Sequence, residues 1–195
     1  MRIAFIVFNG MTLLDFIGFY DPVTRLKTMG FMTDLTWDVC AITSTVKDIA
    51  GLQIIPSKVK PNLSEYDIVF VPGGLATREL MNNDEFIEWI KTAKSCSLKV
   101  SVCTGSLLLG AARFLKEKIA TTHPNAFSEL KRFCKKVVDK RIADEGDVIT
   151  AGGVTSSIDL GLYICNKFAG YDVMKKIQKQ MDYKGNIDEY ISHHK

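Results

Sequence analysis

Histidine is nearly missing from this chain: there are three in 195 residues, and two of them, His193 and His194, lie within the last three positions. His123 is therefore the one histidine the body of the chain can offer to a Cys–His or Ser–His pairing. Cysteine pairs are missing too. The five cysteines are odd in number, widely spaced and contain no CxxC, which argues against a disulfide framework or a zinc site and for a reducing compartment, by default the cytoplasm. No apolar run approaches membrane-spanning length. The opening Met1-Arg2-Ile3-Ala4-Phe5-Ile6-Val7-Phe8 has no small-residue cleavage site, so it reads as a buried first strand and not as a signal peptide. An excess of one charge is also lacking. A net charge of +3 gives no electrostatic footprint for nucleic acid or an anionic membrane, and the basic run Lys131-Arg132-Phe133-Cys134-Lys135-Lys136 is explained by a solvated helix face.

What is present is a core. With 47% apolar residues over this length, the chain fits one domain spanning 1–195, with a tail that frays from about 185. Short, continuously apolar, β-branched runs read as strands over 3–8, 35–42, 68–71, 99–103 and 148–151. Helical spacing marks 13–29, 84–93, 106–115, 126–133 and 155–169, and a further helix follows Tyr171. Such alternation predicts an α/β fold, a sandwich in which helices cover both faces of a mostly parallel central sheet. Between the second and third main strands, 46–59 reads as a small β excursion around Gly51 and Pro56.

Ligands of open parallel sheets sit outside the carboxyl ends of the strands. Three features gather there: Asn9-Gly10 after the first strand, Pro72-Gly73-Gly74 after the Ile68 strand, and Cys103-Thr104-Gly105 after the Lys99 strand. The last runs from an apolar strand through a cysteine into an apolar helix, the layout of a nucleophile elbow. The positive end of that helix would favour a Cys103 thiolate, and the Thr104 amide would supply half of an oxyanion hole. Gly73 and Gly74 bring little bulk beside it, and the Gly74 N–H is a candidate second donor. From this segment alone a buried, inert core cysteine is equally open.

Asp15, flanked by apolar residues in Thr12-Leu13-Leu14-Asp15-Phe16-Ile17-Gly18, is either a helix-start residue near solvent or a desolvated acid. If it faces the crevice, burial favours its protonated form, ready to hydrogen-bond the Cys103 sulfur and shuttle a proton. His123, before Pro124, follows a short strand and is either a base or a structural hydrogen-bonder. Asp21, before Pro22, reads as a cap or turn residue, and Asp159 as facing a neighbouring helix or loop. Cys40 and Cys165 read as core, Cys96 and Cys134 as exposed.

Taken in order, Val7-Phe8-Asn9-Gly10, Leu14-Asp15-Phe16-Ile17-Gly18, Asp67-Ile68-Val69-Phe70-Val71-Pro72-Gly73-Gly74, the Cys103 elbow, Ala120-Thr121-Thr122-His123 and Thr150-Ala151-Gly152-Gly153-Val154-Thr155-Ser156-Ser157-Ile158-Asp159 resemble the ThiJ/PfpI superfamily. The resemblance covers nearly the whole chain and implies a three-layer, class I glutamine amidotransferase-like (flavodoxin-like) fold. The aspartate in LDFxG and the threonine after the cysteine resemble the isonitrile hydratase branch. That implies addition of water to an isocyanide to give an N-substituted formamide, with Cys103, Asp15 and Thr104 catalytic and with Gly73, Gly74 and His123 around the substrate. It implies no metal or organic cofactor, a small-molecule substrate and a homodimer, with no nucleic-acid or membrane partner. The alternatives are a glyoxalase III-like conversion of a dicarbonyl, or a redox- or ligand-sensing protein without turnover. A Cys-His-Glu triad is disfavoured, since the position two after His123 is Asn125. One departure is Phe19-Tyr20 where the branch usually carries proline after Gly18; these aromatics would narrow the entrance to the site.

Overall fold

Stretches that are apolar at consecutive positions bury both faces when they pair side by side, and four of them do so at the centre of the sheet in this computed structural model, which describes residues 1–191. The strands are β1 (Arg2–Ile6), β2 (Thr36–Ala41), β3 (Val46–Lys47), β4 (Gln53–Ile54), β5 (Lys58–Val59), β6 (Ile68–Val71), β7 (Leu98–Val102), β8 (Ile119–Ala120), β9 (Lys136–Val137), β10 (Ile142–Asp144) and β11 (Val148–Ala151). Seven form the main sheet in the order β10-β11-β7-β6-β1-β2-β5. All neighbours are parallel except β10 and β11, with Ile3 opposite Ile68, Ile68 opposite Leu98 and Lys99 opposite Val148. This is the mostly parallel α/β sheet expected. The excursion over 46–59 contributes the β3–β4 hairpin and also an edge strand, β5, that periodicity did not mark; nor did it mark β10.

The helices are α1 (Leu13–Thr28), α2 (Thr77–Leu80), α3 (Asp84–Lys91), α4 (Gly105–Ala111), α5 (Phe127–Leu130), α6 (Ser156–Ala169), α7 (Tyr171–Gln180) and α8 (Asp188–Ile191). The apolar pattern predicts α4 as far as residue 115, but the chain leaves the helix at Ala112 and turns left-handed at Arg113, φ 69°. Likewise α5 is a single turn, because Pro124–Ala126 takes up a tighter 3-10 turn first. From β1 the chain winds outward to β2 and β5, then returns to the other side of β1 for β6, β7 and β11. The reversal of strand order lies between β1 and β6, so the segments leaving those strands diverge and open a crevice.

Phe16, Phe19 and Tyr20 share the sheet-facing side of α1. Phe19 is fully buried and stacks on Phe70 with ring centroids 4.0 Å apart, and the Tyr20 hydroxyl accepts from Trp37 Nε1 at 3.1 Å. The pair therefore fills the core and does not narrow the entrance. Asp21 is not a cap or turn residue: it lies within α1 and pairs with Arg25 one turn on, at 2.9 Å. Cys96 is buried, not exposed, with Sγ donating to the Leu63 carbonyl at 3.0 Å; Cys40 and Cys165 are core, and Cys134 is half-buried. His193, His194 and Lys195 lie outside the described residues.

α1 and α6 cross closely because Gly18 has no side chain. A Cβ there would sit 2.1 Å from Ser157 Oγ, which donates to the Val154 and Leu14 carbonyls at 2.8 and 3.1 Å. Gly18→Ala gains about 1 kcal/mol of helix propensity but forces overpacking worth about 1–3 kcal/mol and displaces a buried hydroxyl. A net loss of stability is expected, read as a lower urea midpoint. An unchanged or higher midpoint would show that the crossing has slack.

Candidate active site

Each element that leaves the crevice end of the sheet delivers one part of the site. β7 runs into Cys103, which takes a left-handed backbone, φ 54°, before α4 begins. Such a conformation is costly for a residue with a Cβ and persists only where its surroundings fix it. Here the Cys103 N–H is held by the carbonyls of Gly152 (2.8 Å) and Ala151 (3.1 Å), at the exit of β11. Its carbonyl accepts from Thr122 Oγ1 at 2.8 Å and from Ser106 Oγ at 3.2 Å, both fully buried side chains. Spacing gave no role to Thr122 or Ser106. In the sequence, Thr122 figures only as part of the segment Ala120-Thr121-Thr122-His123, without a role of its own.

Asp15, in the first turn of α1, is fully buried, so it is a desolvated acid and not a solvated helix-start residue. Its Oδ2 accepts the Gly73 N–H at 3.0 Å, and the carboxyl meets the Cys103 thiol. Loss of water pushes the carboxyl up to about 7, against the lowering effect of the Gly73 N–H and the thiol. Cys103 is 5% exposed, and burial, followed by the Asp15 charge, pushes its thiol up to about 12 despite the hydrogen bonds from Thr104. The helix N-terminus was expected to favour a thiolate; desolvation and the adjacent carboxylate push the thiol the other way. In this resting geometry the sulfur keeps its proton, and the carboxyl beside it titrates near neutrality.

Thr104 and the Gly73-Gly74 turn lock together. Thr104 Oγ1 accepts from the Gly74 N–H and lies the same 3.0 Å from the Gly74 carbonyl, to which it donates. The Gly74 N–H expected to face the substrate is therefore occupied by the Thr104 hydroxyl, whereas the Thr104 N–H points at the Cys103 sulfur. A Cβ on Gly73 would lie 2.6 Å from Thr104 N and 2.8 Å from both Asp15 Oδ2 and Cys103 Cβ. Only glycine lets the three parts close on one another.

His123 stands apart. Its Nδ1 accepts the Asn125 N–H at 3.2 Å, and its ring borders Gly153, where a Cβ would lie 3.2 Å from His123 Cδ2. The structure thus gathers Asp15, Gly73, Gly74, Cys103 and Thr104, while the His123 ring engages Asn125 and borders Gly153 in the loop that follows β11. Asp159, buried on α6, faces Arg141 and accepts from the Tyr183 hydroxyl at 2.7 Å, as its reading as a residue facing neighbouring elements anticipates. The open groove along β10, walled by Arg141, Ile142, Glu189 and Tyr190, contains none of the gathered residues. Among the described residues no cluster of three or more His, Cys, Asp or Glu side chains is arranged to hold a metal ion, and no helix is long and apolar enough to cross a membrane.

A strained cysteine at the carboxyl end of β7, facing a buried carboxyl from α1, defines the class. The sequence profile of the DJ-1/PfpI family matches residues 1–167, and the chain belongs to that family. Within it, the chain is 32% identical over 185 residues to an isonitrile hydratase of Pseudomonas putida, an alignment covering 94% of this chain and 78% of that protein. It is also 30% identical to DJ-1alpha of Drosophila melanogaster over 60% of this chain and 55% of the relative. Among solved structures, a ThiJ/PfpI family protein from Pseudomonas syringae superposes with a TM-score of 0.84 at 27% identity, covering 95% of this chain and 76% of that one. Drosophila melanogaster DJ-1beta superposes at 0.79, with 20% identity and 92% and 96% coverage.

Proposed function

We propose that the protein is an isonitrile hydratase-like enzyme that adds water to an isocyanide and releases an N-substituted formamide. The observation that carries this reading is the buried Asp15 carboxyl, held by the Gly73 N–H against the strained Cys103 elbow; burial raises that carboxyl to about 7, suited to both accepting and returning a proton at neutral pH. Similarity to the Pseudomonas putida isonitrile hydratase along most of the chain supports it.

The steps follow from the two groups. Asp15 as carboxylate takes the Cys103 proton while sulfur bonds to the terminal isocyanide carbon. The same proton then passes to that carbon, giving a thioimidate, R–N=CH–S–Cys103. Asp15, again a carboxylate, removes a proton from water as its oxygen adds to the thioimidate carbon and delivers that proton to the nitrogen. As the C–S bond breaks, Asp15 takes the hydroxyl proton of the adduct and passes it to the departing sulfur, leaving the formamide, R–NH–CHO. The atoms of one isocyanide and one water are conserved, and no electron acceptor is required. The Thr104 N–H, directed at the sulfur, is placed to steady charge on it in both steps.

Purified protein mixed with cyclohexyl isocyanide is expected to yield N-cyclohexylformamide, and Cys103→Ala to yield none above buffer. Absence of product from the wild type with Cys103 shown to be reduced would overturn the hydratase reading. Turnover of a dicarbonyl in its place would assign the site to glyoxalase III-like chemistry; oxidation of Cys103 without turnover would assign it to sensing.

A further inference from the structure

Cys103 does not hold its own conformation, and a side chain from outside its own helix, that of Thr122, grips its carbonyl. The Cys103 carbonyl and the Thr104 N–H are two ends of one peptide group. The oxygen end accepts from Thr122 Oγ1 at 2.8 Å and Ser106 Oγ at 3.2 Å, and the N–H end lies beside the Cys103 sulfur, where it favours the charged thiolate. Hydrogen bonds to the oxygen of an amide draw charge through its C–N bond and make its N–H a stronger donor. We propose that Thr122 is a positioning residue that acts through the Cys103–Thr104 peptide, fixing the left-handed elbow and strengthening the N–H that stabilises charge on the Cys103 sulfur.

Three observations support a role beyond packing. Thr122 is fully buried yet spends its hydroxyl on a distant backbone oxygen, at 2.8 Å and 19 residues away in the chain. That oxygen belongs to a strained residue, whereas Ser106 reaches it by the ordinary three-residue back-bond of a helix start. The neighbouring residue is anchored as well: the Thr121 N–H donates to Thr150 Oγ1 on β11 at 2.9 Å, so the Thr122 hydroxyl is presented from a backbone tied to the sheet. The ionisable group that acts on the Cys103 thiol is Asp15, from α1. β7, α4 and the loops after β6, β8 and β11 bring backbone amides, backbone carbonyls and hydroxyls to the elbow. A change at Thr122 is therefore read against a constant carboxylate.

The role does not depend on which electrophile the enzyme takes, so it is tested without substrate. Iodoacetamide alkylation of Cys103 is followed against pH by mass spectrometry of the peptide, with the half-buried Cys134 as internal reference. Thr122→Val keeps the shape and removes the donor; it is expected to slow Cys103 alkylation about three- to tenfold at a fixed pH, the scale of one lost hydrogen bond. The profile moves to higher pH while Cys134 is unchanged. Thr122→Ser, which restores the donor, is expected to return the profile to that of the wild type. If the valine variant does not fold, Ser106→Ala carries the test, moving the Cys103 profile in the same direction and by less, because its bond is longer. A Cys103 profile unmoved in Thr122→Val, one that shifts together with Cys134, or, where the valine variant does not fold, one unmoved in Ser106→Ala, would overturn the proposal.

Discussion

Asp15→Asn is expected to lose about two to four orders of magnitude of turnover, the span attributed to a positioned acid–base group, while its Cys103 alkylates faster than in the wild type. The two effects have opposite signs because Asp15 does two things to the thiol. It carries the proton during turnover, and at rest its negative charge, added to burial, holds the thiol up at about 12. An asparagine cannot carry the proton and has no charge, so the thiolate becomes easier to form just as the reaction stops. Formamide production and site-resolved alkylation in one preparation separate the roles. Turnover near that of the wild type would remove Asp15 from the chemistry.

The same substitution changes how stability follows pH. The folded protein holds the Asp15 proton up to about 7, from an ordinary carboxyl value of 3.8, so between those values the folded state binds more protons than the unfolded chain. Stability then declines as pH rises through that window. The neutral, buried carboxyl is fully tolerated below about 4, and the whole penalty is felt above about 7. At about 1.4 kcal/mol per pKa unit, the wild type is expected to lose on the order of 4 kcal/mol across the window on account of this one group. Denaturant unfolding at a series of pH values checks it. The Asp15→Asn protein is expected to lack this decline, and an equally steep decline in the variant would assign the pH dependence elsewhere.

Gly73→Ala is expected to be the second most damaging change, through geometry alone. The new methyl would meet the Thr104 backbone nitrogen at 2.6 Å, and Asp15 Oδ2 and Cys103 Cβ at 2.8 Å. The nearest of these is backbone of the elbow, so it cannot swing aside as a side chain would. Relief requires the turn after β6 to back away from β7, parting the carboxyl from the thiol. A displacement of about 1 Å in a reacting constellation costs about a hundredfold in rate, and the overpacking costs about 1–3 kcal/mol in stability. A folded Gly73→Ala protein that keeps turnover within about twofold of the wild type would mean that the close approach is not required.

The central strands were legible because β6 and β1 after Arg2 are runs of consecutive apolar residues, and β7 and β11 keep a β-branched, apolar character around Lys99, Ser101 and Thr150, the pattern of strands covered on both faces. The edge strands were not, because two or three residues including Lys58 or Asp144 give periodicity nothing to act on. Where the loops converge was readable from the order of the strands, and the resemblance, not the residues alone, brought Asp15 to Cys103. A protonated Asp15 was anticipated on condition that it faces the crevice; a Cys103 that keeps its proton was not. The text of the chain shows a helix following a cysteine, but it does not show that water is excluded from both the thiol and its neighbour, and exclusion decides where the proton rests. Thr122 lies deeper still: it stands in the segment Ala120-Thr121-Thr122-His123 that carries the resemblance, but only the turn of the Cys103 carbonyl toward it makes it a partner.

The lengths of the two outer strands have a consequence for how the protein behaves when concentrated. β5 and β10, two and three residues long, end the main sheet on either side; β5 covers Cys40 and Ala41 of β2, and Ser57 Oγ occupies both the N–H and the carbonyl of Val39, so each rim presents only a few peptide groups to a stray strand. A seven-stranded sheet with long bare rims would be a template for growth from molecule to molecule. Here the rims are too short to seed it, and the chain keeps its extended, strongly apolar strands in the interior.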